Sequence, residues 1–188
     1  MKLGNIWMAC LCAVLSLTVQ ASDLSDKLKS PHWVLLMRHA YAPGVGDPPG
    51  YVLERCETQR LLNEDGKNQA IRIGRWLRAQ GVDQARVYSS IWCRCKQTAE
   101  LLHLGPVTVE PALASFFDVP QQAAARNAQL QSWIAQALKS RDHQPLILVT
   151  HHVNIREFMG QDIGSGDMVL ARVTPQGQPL DYQLIRSP

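Results

Sequence analysis

The chain of 188 residues is 46% hydrophobic, 19% charged and 6% aromatic, proportions of a single globular domain able to bury a sizeable core. They exclude a disordered chain, which would carry fewer apolar residues and more net charge. Nineteen Lys and Arg against sixteen Asp and Glu leave only +3, without a long basic run, which excludes a typical nucleic-acid binder.

The first segment reads as a targeting signal. Met1-Lys2 precedes an uncharged apolar run from Ile6 to Val19, and Val19-Gln20-Ala21 offers small residues where a signal peptidase cuts. Residues 1–21 are therefore expected to be a signal peptide and 22–188 the folded domain, 167 residues long with a charge of +2. The run is shorter than the about 20 apolar residues of a bilayer span, so no stable membrane anchor is expected after cleavage. The expected location is periplasmic or secreted.

Beyond it, strands and helices alternate. Trp33-Val34-Leu35-Leu36-Met37 is a continuous apolar run that suits a strand buried on both faces. A long connection from Ala40 to Leu61 follows, with Pro43, Gly44, Gly46, Pro48, Pro49 and Gly50 in its first half; a lid and a loose surface loop are equal readings. Asn63 caps a helix reaching about Gln80, with Ala70, Ile73, Gly74 and Leu77 on one stripe. Arg86–Ser89 is a second strand, and Trp92, Cys95, Ala99 and Leu102 mark another helix. Val107–Val109 is a short strand. A third helix spans about Gln121 to Lys139, with Leu130, Trp133, Ile134, Ala137 and Leu138 on one face. Pro145–Thr150 is the strongest buried strand, and 167–173 and 180–185 close the sheet around a turn near Gly177. The pattern predicts one α/β domain, a three-layer α/β/α sandwich with a largely parallel central sheet.

Ligands of such sheets bind beyond the carboxyl ends of the strands. Arg38-His39 follows the first strand, Ser89-Ser90-Ile91-Trp92-Cys93-Arg94 the second, and His151-His152 the strongest. Arginine forks match phosphate oxygens, helix starts offer free N–H groups, and imidazole can act as nucleophile or proton carrier. Three strand ends together point to an anionic tetrahedral ligand.

Loss of the signal leaves Cys56, Cys93 and Cys95. Three cysteines in an oxidising compartment predict one disulfide, Cys56 with either Cys93 or Cys95, and one free thiol. The Cys-x-Cys spacing does not fit structural zinc, and no metal site is expected.

These residues also carry a family resemblance. Leu35-Leu36-Met37-Arg38-His39-Ala40 resembles the Arg-His-Gly signature of the histidine phosphatase superfamily, with Ala40 in the glycine position. Ser89-Ser90-x-x-x-Arg94-Cys95-x-Gln97-Thr98-Ala99 is similar to its second box and Thr150-His151-His152-Val153-Asn154-Ile155-Arg156 to its third. Leu62-Asn63-Glu64-Asp65-Gly66-Lys67-x-Gln69-Ala70 resembles its Leu-Thr-x-x-Gly-x-x-Gln-Ala helix start. The resemblance implies that His39 takes the phosphoryl group, that Arg38, Arg94 and His151 hold the phosphate, and that neither metal nor organic cofactor is needed.

One position departs from the family pattern. Ser115 stands where many members carry the glutamate that protonates the leaving oxygen. Asp118 is the nearest carboxylate; it either sits partly buried at the pocket rim as the general acid or caps the helix that follows Pro120. The expected activity is an exported phosphohydrolase acting on a small-molecule or saccharide phosphomonoester, with a cell-envelope saccharide phosphate the analogy that suits the location. A phosphohistidine phosphatase and a phosphoanion-binding protein without turnover are the alternatives. No nucleic-acid partner is expected, and the oligomeric state is left open with a monomer favoured.

Overall fold

The computed structural model describes residues 22–140 and 142–188, so the expected signal peptide, residues 1–21, lies outside the described residues. In chain order the elements are α1 (Ser22–Lys29), β1 (Trp33–Arg38), α2 (Glu64–Ala79), β2 (Arg86–Ser89), α3 (Cys93–Leu101) and β3 (Val107–Val109). Then come α4 (Ala123–Lys139), β4 (Leu146–Thr150), α5 (His152–Met159), β5 (Met168–Val173) and β6 (Pro179–Ile185). The six strands form one sheet in the order β3-β2-β4-β1-β5-β6. The first four are mutually parallel, while β5 and β6 run antiparallel at one edge.

Alternation along the strands decides where the helices go. Leu35, Met37, Val87, Ile147 and Val149 face one apolar layer with Leu28 of α1, Ile73 and Leu77 of α2, and Leu102 following α3. Val34, Leu36, Leu146 and Leu148 face the other, with Leu130 and Ile134 of α4 and Ile155 and Phe158 of α5. Strand β4 is buried at all five positions, as a strand covered on both sides must be. The chain is thus the expected three-layer sandwich. The two helices absent from the sequence reading, α1 and α5, are eight residues each. Each buries only a pair of apolar residues, Leu24/Leu28 and Ile155/Phe158, too short a stripe to declare a period.

Asn63 caps α2 as expected, its side chain accepting from the Gly66 N–H at 2.9 Å. Gly66 is there for close approach: a Cβ would stand 1.9 Å from the Tyr41 carbonyl oxygen. Gln69 then accepts from the Tyr41 N–H at 2.8 Å and donates to the Ser165 carbonyl at 2.8 Å. This helix start therefore braces the chain that has just left β1.

The connection between β1 and α2 is a built loop rather than a loose one. Thr58 Oγ1 accepts from the Val52 N–H at 2.9 Å, and Gln59 Nε2 donates to the Leu53 carbonyl at 2.9 Å. Arg60 Nε donates to the Gly46 carbonyl at 2.8 Å, and its Nη1 reaches the Ala42 carbonyl at 2.5 Å. A disulfide joins Cys56 of this loop to Cys93 at the start of α3, resolving the open pairing, and Cys95 is the free, buried thiol. Closing a sequence separation of 37 residues should stabilise the fold by about 4 kcal/mol. A Cys56→Ser/Cys93→Ser variant is expected to lose that amount in urea denaturation, and an unshifted midpoint would contradict it.

Candidate active site

Strands β2, β4 and β1 are neighbours, and their register aligns Arg38 with Thr150 and Ser89 with Val149. Their carboxyl ends therefore deliver Arg38-His39, Ser90 and His151 to the same edge of the sheet, and α3 adds Arg94 just after its start. Arg38, His39, Arg94 and His151, with Arg60, Trp92, Ser115, Phe117, Asp118 and His152, surround a cavity of about 210 Å³, while Ser90 lies behind His151.

His39 is 1% exposed. Its backbone N–H donates to the Thr150 carbonyl at 3.0 Å, which carries the β1–β4 ladder one residue past the strand. Its ring is fixed by two partners of opposite kind. Nδ1 lies 2.7 Å from the Ala40 carbonyl oxygen, which only accepts, so Nδ1 carries the hydrogen. Nε2 lies 3.3 Å from Arg94 Nε, which only donates, so Nε2 keeps its lone pair. Burial, then the positive charge of Arg94, holds the imidazole well below its ordinary range against the Ala40 bond that favours protonation. A neutral histidine with its lone pair beside a guanidinium can act as a nucleophile toward an anion.

His151 is also buried, with its pKa well below the ordinary range through burial and then Arg94. Its Nε2 lies 2.9 Å from Ser90 Oγ and 3.5 Å from Cys95 Sγ, and its ring meets those of His39 and Trp92 edge-on. Burial pushes the Cys95 thiol up to about 12, so it stays protonated and is no nucleophile at neutral pH. Arg38 donates through Nη1 to the Ile163 carbonyl at 3.0 Å, while its buried Nε has no hydrogen-bond partner. A buried donor without an acceptor costs about 1–3 kcal/mol, which an anion in the cavity would recover.

Asp118 stands at the rim, but it is exposed rather than partly buried. It accepts a hydrogen bond from the Tyr51 hydroxyl at 2.9 Å. The Tyr51 phenol is pushed up to about 12 by burial and then by that bond, so it remains a donor. Asp118 does not cap the following turn, Pro120–Gln122, whose N-cap is Val119 without a side-chain bond. Ser115 lines the cavity, and its Oγ accepts from the Phe117 N–H at 3.2 Å.

Sequence reasoning missed Asp47, Arg60, Tyr51 and Trp92 at this site. All but Trp92 come from the long loop, where no strand end or helix phase marks a side chain. The visible signal was Gly46-Asp47-Pro48-Pro49, a carboxylate set in a rigid turn. Among the described residues, no group of three or more His, Cys, Asp and Glu is placed to hold a metal, and no helix is long and apolar enough to cross a membrane.

The buried histidines link this site to acid stability. Their folded pKa values lie below the unfolded value of about 6.5, so below that pH the unfolded chain binds protons that the folded chain refuses. The stability they contribute is complete above about pH 6.5 and is lost as the pH falls. The thermal midpoint is expected to drop steadily from pH 7 to 5; a flat profile would contradict the neutral buried state.

Residues 34–117 match the profile of the histidine phosphatase superfamily (branch 1), a span that includes Arg38, His39 and Arg94 and stops short of His151. No curated protein matches the chain. Among solved structures, the protein histidine phosphatase SixA complexed with tungstate is 18% identical, with 82% of this chain and 97% of that one covered and a TM-score of 0.55. A mycobacterial glucosyl-3-phosphoglycerate phosphatase with inorganic phosphate is 14% identical, with 84% and 97% covered and a TM-score of 0.58. The product of a Mycobacterium tuberculosis open reading frame is 18% identical, with 82% and 96% covered and a TM-score of 0.60. At these identities the likeness is one of fold.

Proposed function

We propose that the chain, whose residues 34–117 match the histidine phosphatase superfamily profile, is a member of that superfamily and an exported phosphohydrolase working through a phosphohistidine at His39. The observation that carries this reading is the fixed tautomer of His39: Nδ1 bound to the Ala40 carbonyl, Nε2 facing Arg94 and the cavity. Arg38 and Arg94 neutralise the charge that spreads over the phosphoryl oxygens in the transition state, and His151 lines the same cavity beside them as a neutral imidazole.

In the first step the Nε2 lone pair attacks phosphorus. The P–N bond forms as the bond to the leaving oxygen breaks, and that oxygen takes a proton from the Asp118 carboxylic acid. In the second step the Asp118 carboxylate accepts a proton from water, the water oxygen bonds to phosphorus and the P–N bond breaks. His39 is restored and inorganic phosphate leaves. Tyr51 holds the Asp118 carboxylate at the rim through its hydroxyl.

Export is supported by the apolar leader sequence and by the Cys56–Cys93 disulfide, which suits an oxidising compartment. A phosphorylated saccharide is the substrate class proposed, by analogy with the glucosyl-3-phosphoglycerate phosphatase of the same fold and with the exported location. Release of inorganic phosphate from an aryl phosphate tests the activity. Binding of phosphate without release would instead assign a phosphoanion-binding protein, and preference for a phosphohistidine peptide over every phosphomonoester would assign a protein phosphatase.

Asp118→Asn separates the proton from the phosphoryl transfer. Alkyl phosphates need the leaving oxygen protonated and should slow by about a hundredfold, while activated aryl phosphates leave unaided and should change little. Equal effects on both classes, or no effect on either, would remove Asp118 from this role.

A further inference from the structure

The best-satisfied carboxylate in the cavity wall has no part in the steps above. Asp47 Oδ1 and Oδ2 lie 2.8 and 3.0 Å from Arg94 Nη1. The Trp92 indole donates to Oδ2 at 3.1 Å and the Arg60 backbone N–H to Oδ1 at 2.9 Å. The pair is deeply buried, with the Arg94 and Asp47 side chains 5% and 3% exposed. Two readings compete. Asp47 either fills the phosphate position and must leave when substrate arrives, or it is a permanent partner that sets the orientation of Arg94.

The loop favours the second. Gly44 and Gly46 take positive φ, which glycine adopts without strain, and Pro48 disfavours the helical region at Asp47. Arg60 ties Gly46 and Ala42 together, and the Cys56–Cys93 disulfide pins the loop to the helix that carries Arg94. Moving Asp47 out would strand an indole N–H, a backbone N–H and a buried guanidinium at once, a cost that one incoming anion would not offset. Three donors, the Arg94 Nη1, the Trp92 indole and the Arg60 N–H, already occupy both carboxylate oxygens, so Asp47 is not placed to pass a proton to a leaving group.

We infer that Asp47 is a positioning residue: it holds the Arg94 guanidinium with Nη1 in the loop wall, Nε on His39 Nε2 and Nη2 turned to the substrate phosphate. The inference rests on the phosphatase reading of the same cavity. It makes the disulfide-closed loop part of the chemistry, because the loop supplies the anchor that aims the arginine. It also assigns each nitrogen of the guanidinium a separate task, which a lysine could not perform.

The test is Asp47→Asn, which keeps size and removes charge, measured alone and in an Arg94→Ala background. Alone, it should lower kcat/KM for an aryl phosphate by about tenfold to a hundredfold, the range that misplacing a charge-stabilising group commonly costs. Tungstate affinity, read by calorimetry without turnover, should fall in parallel. In the Arg94→Ala background the Asp47 substitution should add less than about twofold, because there is no guanidinium left to aim. A single variant within twofold of the parent, full additivity in the double variant, or a gain in tungstate affinity would each overturn the inference. The gain would identify Asp47 as an internal competitor of phosphate. If the parent protein binds tungstate but releases no phosphate, the phosphatase reading fails while the calorimetric comparison still reads the clamp.

Discussion

His39→Ala is expected to abolish turnover of every phosphomonoester while leaving the fold standing. The imidazole has a lone pair fixed by geometry and facing the cavity, through the 2.7 Å contact to Ala40 and the 3.3 Å contact to Arg94. Without it the reaction loses its two-step route, and the remaining cations can bind an oxyanion but have nothing to pass it to. The fold should survive because the ring is held by few bonds and makes no ion pair whose loss would strand a buried charge. Its ring makes side-chain hydrogen bonds only to Ala40 and Arg94. Tungstate binding should persist in the variant. Measurable turnover at the parent rate would remove His39 as the nucleophile.

Arg94→Ala carries the second large effect, on two measurements at once. Loss of one charge-stabilising donor commonly costs about a hundredfold or more in kcat, and Arg94 also faces the attacking nitrogen. The same substitution leaves the Asp47 carboxylate buried without its cation. Removing one partner of such a pair destabilises by about 3–5 kcal/mol. The expected result is therefore a slow enzyme with a lowered melting temperature. Arg94→Lys separates the two: it returns the charge and part of the stability but not the forked geometry, so its rate should stay low. Recovery of full rate by lysine would mean that charge alone is enough.

The sheet and most helices were legible because their signals are local and periodic. Trp33–Met37 and Leu146–Val149 are apolar at consecutive positions, as strands buried on both faces require. The strand-end rule then placed Arg38, His39, Arg94 and His151 on one edge before any geometry was known, and the structure puts all four around one cavity. The loop was not legible. Its side chains obey no period, and the partners of Asp47 lie 13, 45 and 47 positions away. The disulfide could be limited to two pairings because Cys93 and Cys95 stand too close in sequence to bridge each other, but choosing Cys93 over Cys95 required the direction of each side chain from α3. Cys93 faces the loop; Cys95 points inward toward Thr150 and His151. Asp118 was found by proximity in sequence alone, and its partner Tyr51 lies 67 positions earlier, beyond the reach of motif reasoning.

The central claim is covalent: a phosphoryl group passes through His39. Rapid mixing of the protein with an aryl phosphate, an alkaline quench and peptide mass spectrometry tests it most directly. The account predicts one phosphoryl group on the peptide containing His39, on its imidazole, that forms within the first turnover and decays at the rate of phosphate release. A phosphoryl group on another residue, or steady phosphate release with unmodified His39 at every time point, would contradict it.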